Sequence, residues 1–170
     1  MTIDQLNALG KEDFVQRVGW VFEQSPWVAE RAWPHRPFSS LADLHAKMTS
    51  EVTHASSEQQ LALLRAHPDL GARAAMSASS ANEQAGAGLD QLTAQEFERL
   101  RQWNNAYKQK FGFPFLFAVK GSDKFQIFAA LEHRLNCDPE DEFFEALRHV
   151  YRIARFRLQT IIDNQPEDRQ

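Results

Sequence analysis

Residues 138–161 read DPEDEFFEALRHVYRIARFRLQTI, and this stretch sets the fold class. Asp138 followed by Pro139 is typical of the N-cap and the first residue of a helix. The apolar side chains that follow recur every three or four residues, which is the spacing of one helix face: Phe143, Leu147, Val150, Ala154, Leu158 and Ile161. The stretch therefore predicts a long amphipathic helix whose apolar face must pack against other elements.

The same helical period runs through most of the remaining chain. It predicts helices in residues 11–24, after Ser40, after Ser57 as far as Pro68, after the capping box of Thr93 and Glu96, and after Ser122 or Asp123. No internal repeat and no strand-turn-strand pattern is found. We expect an all-α, single-domain bundle of about seven to nine helices over residues 1–170, in which residues 163–170 form a flexible tail.

Two segments interrupt the helical pattern. Residues 111–119, FGFPFLFAV, look extended, and Pro114 disfavours a central strand because proline lacks an N–H group. Residues 72–92 are small and polar, which predicts a loop with a short helix starting at Ser80. Irregular segments on a rigid scaffold are where functional sites are usually found.

Composition excludes several classes of function. A net charge of −4, from 19 basic and 23 acidic residues, is a poor match to non-specific nucleic-acid binding. The single cysteine, Cys137, rules out an internal disulfide and a cysteine-based zinc cage. No apolar run reaches the roughly 18 to 20 residues that span a membrane, and residues 1–22 lack the apolar stretch of a signal peptide. We therefore expect a cytoplasmic protein with neither a nucleic-acid nor a membrane partner.

His67 is the first candidate for chemistry. It stands where a helix is predicted to end before Pro68, and the helix dipole favours a protonated imidazole there. A histidine that titrates near neutral pH is a natural general acid or base. The alternative is that His67 only caps the helix while Asp69 starts a turn.

Three further candidates follow. Ser80 and Glu83 form a capping-box pattern, and capping a helix would be a sufficient role for Ser80. Glu83 and Gln84 together offer a carboxylate beside an amide, which suits a ligand rich in N–H and C=O groups. The phenylalanines of residues 111–119 are either core residues or the side of a site whose backbone binds a flat heterocycle. Arg157 is either a solvated charge or, because it lies close to an apolar face, the partner of an anion such as a substrate carboxylate. The remaining histidines form no tight metal motif: His35, His45, His54, His133 and His149.

Together these pieces resemble the 2-oxo-4-hydroxy-4-carboxy-5-ureidoimidazoline (OHCU) decarboxylase family of the urate degradation pathway. Each motif is weak alone, but they follow the family's order across nearly the whole chain. The matching segments are residues 25–29 (SPWVA), 36–38 (RPF), 67–71 (HPDLG), 80–84 (SANEQ) with 87–89 (AGL), 105–115 (NAYKQKFGFPF), 134–136 (RLN) and 157–158 (RL).

The resemblance implies an all-helical, often dimeric, cofactor-free enzyme without a metal site that converts OHCU to (S)-allantoin and CO₂. It implies catalytic roles for His67, Glu83 and Arg157. It also implies substrate contacts, some made through the backbone, at Pro68, Ser80, Ala81, Asn82, Gln84, Phe115, Leu116, Phe117, Ala118 and Val119.

Two other classes of function stay open from spacing alone. A metal-dependent helical phosphohydrolase would need paired His and Asp ligands, which the sequence lacks. A helical interaction module would leave the combination of His67, Glu83 and Arg157 unexplained. The resemblance favours the decarboxylase.

Overall fold

The computed structural model describes residues 1–72 and 76–162. These residues contain no strand, which confirms the all-α prediction. They form nine α-helices: α1 (Ile3–Asn7), α2 (Lys11–Val18), α3 (Trp27–Ala32), α4 (Leu41–Thr53), α5 (Ser57–Arg65), α6 (Ala78–Gly86), α7 (Ala94–Phe111), α8 (Lys124–Arg134) and α9 (Pro139–Ile161). Short 3₁₀ turns cover Gly19–Val21 and Trp33–His35. The predicted tail at residues 163–170 lies outside the described residues.

The chain divides into two compact units, and α9 contributes to both. Unit 1 contains Met1–Ala66 and the chain from Tyr151 onward, whereas unit 2 contains His67–Val150. The expectation of a single domain over residues 1–170 stays a prediction.

Unit 1 is built around α4. Its buried face carries Leu41, Leu44, Met48 and Val52, as the sequence predicts. A reciprocal pair of 2.8 Å hydrogen bonds joins the Asn7 side chain to the backbone of Phe38, whose ring stacks on Phe14. These contacts connect helices that are too short to be stable alone.

Unit 2 combines α6, α7, α8 and the first half of α9. Leu100 and Tyr107 of α7 are buried, as are Ile127 and Leu131 of α8. Gly112 ends α7 with φ of 80°, a left-handed conformation that favours glycine. The chain then enters the Phe-rich segment (residues 113–119), which has no regular secondary structure, as predicted.

Several predicted helix starts are confirmed. Ser40 caps α4, Thr93 and Glu96 form the capping box of α7, Asp123 rather than Ser122 caps α8, and α9 begins at Pro139. Each of these caps depends on hydrogen bonds between residues close in sequence, which is why the pattern reveals them.

Three other predicted boundaries are wrong. Ser56, not Ser57, caps α5 because its hydroxyl accepts from the Gln59 N–H. Ser77, not Ser80, caps α6, which places Ser80 inside the first turn. The helix predicted in residues 11–24 ends at Val18 and continues as the 3₁₀ turn at Gly19, where a Cβ would lie 3.2 Å from Val15 and 3.5 Å from Pro26.

Across the described residues, no helix combines the length and apolar character that crossing a membrane requires.

Candidate active site

His67 opens a short loop, residues 67–72, that we call the His67 loop. Helix α5 ends at Arg65, so the imidazole stands just beyond a helix C-terminus, close to its predicted position. The His67 side chain is buried, and Pro68 beside it is partly exposed. The imidazole is therefore largely shielded from water.

Helix α7 holds the His67 loop in place. Lys108 donates to the Asp69 carboxylate at 2.6 Å, and the Asn104 amide donates to the Leu70 carbonyl oxygen at 2.9 Å. Both bonds act on residues that directly follow His67 and Pro68. The His67 loop is therefore fixed by a helix at the sequence positions next to the candidate base.

Gln84 connects the His67 loop to α6. Its side-chain oxygen accepts the Gly71 N–H at 2.8 Å, and both residues are buried. Because this oxygen is engaged by Gly71, the ligand contact predicted for Gln84 would use its amide nitrogen. The bond also links the segments that carry His67 and Glu83 within unit 2.

Helix α6 presents the predicted residues 80–84 in different environments. Ser80 is buried and its hydroxyl accepts from the Ser77 hydroxyl at 3.0 Å, so the capping box predicted for Ser80 and Glu83 is wrong. Ala81 and Asn82 are exposed, whereas Glu83 is half-buried. Because Ser77 caps the helix, Glu83 does not occupy the third helical position that a capping box requires.

Gly71 is the position in the His67 loop where a side chain is least tolerated. Its φ is +71°, and a Cβ there would lie 2.5 Å from Cδ2 of the buried Leu100. Gly71→Ala should therefore lower the free energy of unfolding by about 2 to 4 kcal/mol, from left-handed strain plus the clash. Urea denaturation of both proteins measures this difference.

Gly88→Ala is the matched control for Gly71→Ala. Gly88 has φ of +79°, but no atom lies within 4 Å of the point where a Cβ would stand, so only the backbone strain remains. We expect a loss of about 1 kcal/mol there. Equal losses at both positions would contradict the importance of the Leu100 contact.

The Phe-rich segment is held by buried polar side chains of α8 and α9. Arg134 donates to the Leu116 carbonyl oxygen at 2.5 Å, and the Ala118 N–H donates to Nδ1 of His149 at 2.9 Å. Phe115, Leu116, Ala118 and Val119 are buried, and Phe117 is partly exposed. The prediction that these phenylalanines are core residues thus holds for Phe113 and Phe115, while side chains of α8 and α9 order the segment's backbone.

A buried ion pair supports Arg134. Its Nε donates to the Glu142 carboxylate at 2.6 Å, and the Tyr107 hydroxyl donates to the same oxygen. Burial, and then the hydrogen bond to Glu142, raise the pKa of Tyr107 well above its usual range. The phenol therefore stays protonated and acts as a donor at all physiological pH values.

Arg157 lies in unit 1, where it is buried and not solvated. Its exposed fraction is 3%, and its Nη1 lies 2.9 Å from the carboxylate of Glu23, which is 4% exposed. The same nitrogen donates to the carbonyl oxygens of Trp20 and Val21 at 3.4 Å. The interpretation of Arg157 as a solvated charge is therefore wrong, whereas Arg152 and Arg155 of the same helix are exposed.

Sequence reasoning missed the residues that support these groups. Glu23, Glu142 and His149 had no motif that linked them to Arg157, Arg134 or Ala118. Each pairing joins residues far apart along the chain or on different elements, so neither helical period nor capping chemistry signals it. An arginine on an apolar helix face predicts that some anion is near, but not which one.

Among residues 1–72 and 76–162, no three His, Cys, Asp or Glu side chains are arranged to hold a metal ion.

The family model described as OHCU decarboxylase matches residues 7–159, nearly the whole chain. The chain belongs to the OHCU decarboxylase family.

Known proteins show how far this relationship extends. The chain is 46% identical over 161 residues to a Halalkalicoccus jeotgali protein named 2-oxo-4-hydroxy-4-carboxy-5-ureidoimidazoline decarboxylase, covering 95% of this chain and 92% of that relative. It is 48% identical over 166 residues to the Bacillus subtilis uric acid degradation bifunctional protein PucL, covering 98% of this chain but 34% of PucL. This chain thus spans about a third of that larger protein.

A solved structure agrees with the family assignment. The crystal structure of an (S)-allantoin synthase matches with a TM-score of 0.78 and 32% identity, over 96% of this chain and 54% of that one. Decarboxylases are carboxy-lyases, and the family match places this chain in that class of enzymes. These comparisons support the decarboxylase reading and give no support to a phosphohydrolase or an interaction module.

Proposed function

We propose that this chain converts OHCU to (S)-allantoin and CO₂, the last step of urate oxidation to allantoin. The observation that carries the proposal is its 46% identity to a decarboxylase of which it covers 92%. The match of the His67 loop, residues 80–84 and the Phe-rich segment to the family's motifs supports the same activity.

The substrate supplies the means for its own decarboxylation. The carbon that bears the carboxylate is adjacent to a ring C=N bond, so the electron pair released with CO₂ passes into that bond. The ring nitrogen of that bond takes up the displaced charge and gains a proton, which gives an enol. The enol hydroxyl then loses a proton to become the carbonyl of allantoin, and the ureido-bearing carbon gains a proton. We therefore propose that the reaction needs no cofactor, and that the protein orients the substrate and moves protons.

His67 is proposed as the general acid-base at the hydroxyl-bearing carbon. Its support is a buried imidazole in a loop fixed by Lys108 and Asn104. Glu83 would polarise or exchange a proton with the ring or ureido nitrogens. General acid-base assistance of this kind contributes about 10² to 10⁴-fold in rate.

The remaining proposed contacts bind without reacting. The Gln84 amide nitrogen would hold the edge of the ring, with further contacts from Pro68, Ser80, Ala81, Asn82 and the backbone of residues 115–119. By its match to the family motif, Arg157 is proposed to bind an anionic oxygen of the substrate. The buried carboxylate of Glu23, 2.9 Å away, holds that guanidinium in one orientation.

Circular dichroism of freshly generated OHCU tests the proposed function. We expect the chain to accelerate the appearance of optically active allantoin and to form the S enantiomer. The buffer control measures the spontaneous reaction, which has no handedness. A rate and a handedness equal to those of the buffer would reject the function.

We further propose a homodimer that acts in the cytoplasm. The dimer is supported by the family resemblance. Light scattering coupled to size-exclusion chromatography tests the dimer. A mass near the 19.5 kDa of one chain at assay concentration would contradict it.

A further inference from the structure

Side chains of α8 and α9 each make a backbone hydrogen bond and a ring contact to the Phe-rich segment, at positions two residues apart. Arg134 of α8 donates to the Leu116 carbonyl oxygen and lies over the Phe115 ring, 4.6 Å from its centroid. His149 of α9 accepts the Ala118 N–H at Nδ1 and stacks on the Phe117 ring, with centroids 5.0 Å apart and an interplanar angle of 26°. Each helix therefore holds one backbone group and one ring of the segment.

Arg134 and His149 are both buried, and neighbouring side chains orient them. Arg134 is oriented by Glu142, and Glu142 by Tyr107. His149 can accept a hydrogen bond at Nδ1 only when its proton is on Nε2, and the Glu145 carboxylate lies 3.4 Å from that nitrogen. The imidazole thus has one defined tautomer while it holds Ala118.

This arrangement sets which edge of the segment is free to face a ligand. The Phe115 and Phe117 rings stack with centroids 6.1 Å apart, as residues two apart do on one face of an extended chain. In an extended chain the N–H and C=O of one residue point to one side, and those of the next residue point to the other. With Leu116 and Ala118 turned toward α8 and α9, the N–H and C=O of Phe117 point away from them.

We infer that His149 and Arg134 are positioning residues for the decarboxylation, which set the register of residues 115–119 so that the Phe117 peptide faces the substrate. This inference rests on the proposed function. The N–H and C=O of a single extended residue match the adjacent C=O and N–H of a cyclic amide, the chemistry of the OHCU ring. A one-residue slip would present the opposite backbone edge instead.

Substitutions at His149 give a test that separates positioning from stability. Contacts to a part of the substrate that does not react bind ground state and transition state alike, so losing them raises KM and leaves kcat nearly unchanged. We expect His149→Leu, with OHCU as substrate, to raise KM about 10- to 100-fold while kcat changes less than about threefold. A purely structural role would reduce the amount of active enzyme and leave KM unchanged.

Two conservative variants keep the test decisive where His149→Leu does not fold. Asparagine places its oxygen where Nδ1 stood, so His149→Asn should keep KM within about threefold of the parent. Glutamine places its oxygen near the former Nε2 and loses the Ala118 bond, so His149→Gln should raise KM as His149→Leu does. Equal KM values for the Asn and Gln variants would overturn the inference.

His45→Leu is the matched control. His45 belongs to unit 1, is partly buried and bonds the Tyr151 carbonyl oxygen at 2.7 Å, so this variant also loses a hydrogen bond between a histidine and the backbone. Its KM should equal that of the parent. A parent that does not turn over OHCU rejects the proposed function and the inference with it, whereas an active parent with an unchanged KM in His149→Leu rejects the inference alone.

Discussion

His67→Asn should abolish the enzymatic formation of (S)-allantoin and leave the fold intact. Asparagine keeps part of the imidazole's shape and polarity, but it cannot accept and return a proton near neutral pH. The loss should reach about 10² to 10⁴-fold in kcat, down to the spontaneous rate. Circular dichroism of the product measures the turnover, and thermal denaturation checks the fold.

His133→Asn provides the control for the His67 experiment. His133 lies on α8 and is exposed, so the same change there should alter neither activity nor stability. Near-normal formation of optically active allantoin by His67→Asn would contradict the catalytic role proposed for His67. Equal loss in both variants would point to handling of the protein and not to the chemistry of His67.

Glu142→Leu should cause the largest loss of stability. Glu142 is 1% exposed and Arg134 6%, so the variant leaves a buried guanidinium without its counter-charge and removes the acceptor of the Tyr107 hydroxyl. Breaking one side of a buried pair costs about 3 to 5 kcal/mol. For a chain of this size that corresponds to a fall in Tm on the order of 10 °C, measurable by calorimetry.

Two further variants test whether the stability loss of Glu142→Leu comes from the unpaired buried charge. Glu98→Leu removes an exposed ion pair with Arg101, in which Glu98 is 48% exposed, and should destabilise the protein far less than Glu142→Leu does. Adding Arg134→Met to Glu142→Leu should recover much of the stability, because a buried pair can be replaced by apolar side chains. A double variant no more stable than Glu142→Leu would show that the unpaired charge is not the cause.

The sequence predicts the helices well because their signals are local. The period of residues 138–161, the Thr93 capping box and the Ser40 cap each involve residues within a few positions of one another. The errors are local too. Ser56 and Ser57 are equivalent by residue type, and so are Ser77 and Ser80, so composition cannot tell which hydroxyl meets the first free N–H.

The candidate site divides in the same way. Motif order alone identifies the family and singles out His67, Glu83, Arg157 and the Phe-rich segment, since these side chains and their spacing are written in the chain. What the folded chain adds is their partners. Glu23 beside Arg157, Gln84 beside Gly71, and His149 beside Ala118 are not predictable from period or capping.

These partners cannot be predicted from the sequence because of how buried polar groups are stabilised. A buried charge or N–H must find a partner, but any carboxylate, amide or imidazole of suitable reach would satisfy it. Which one does so depends on which helices pack together, and that depends on summed apolar burial along whole helix faces. The type and order of the residues thus predict the helices, the family and the candidate reactive groups, whereas three-dimensional packing selects the partners that hold those groups in place.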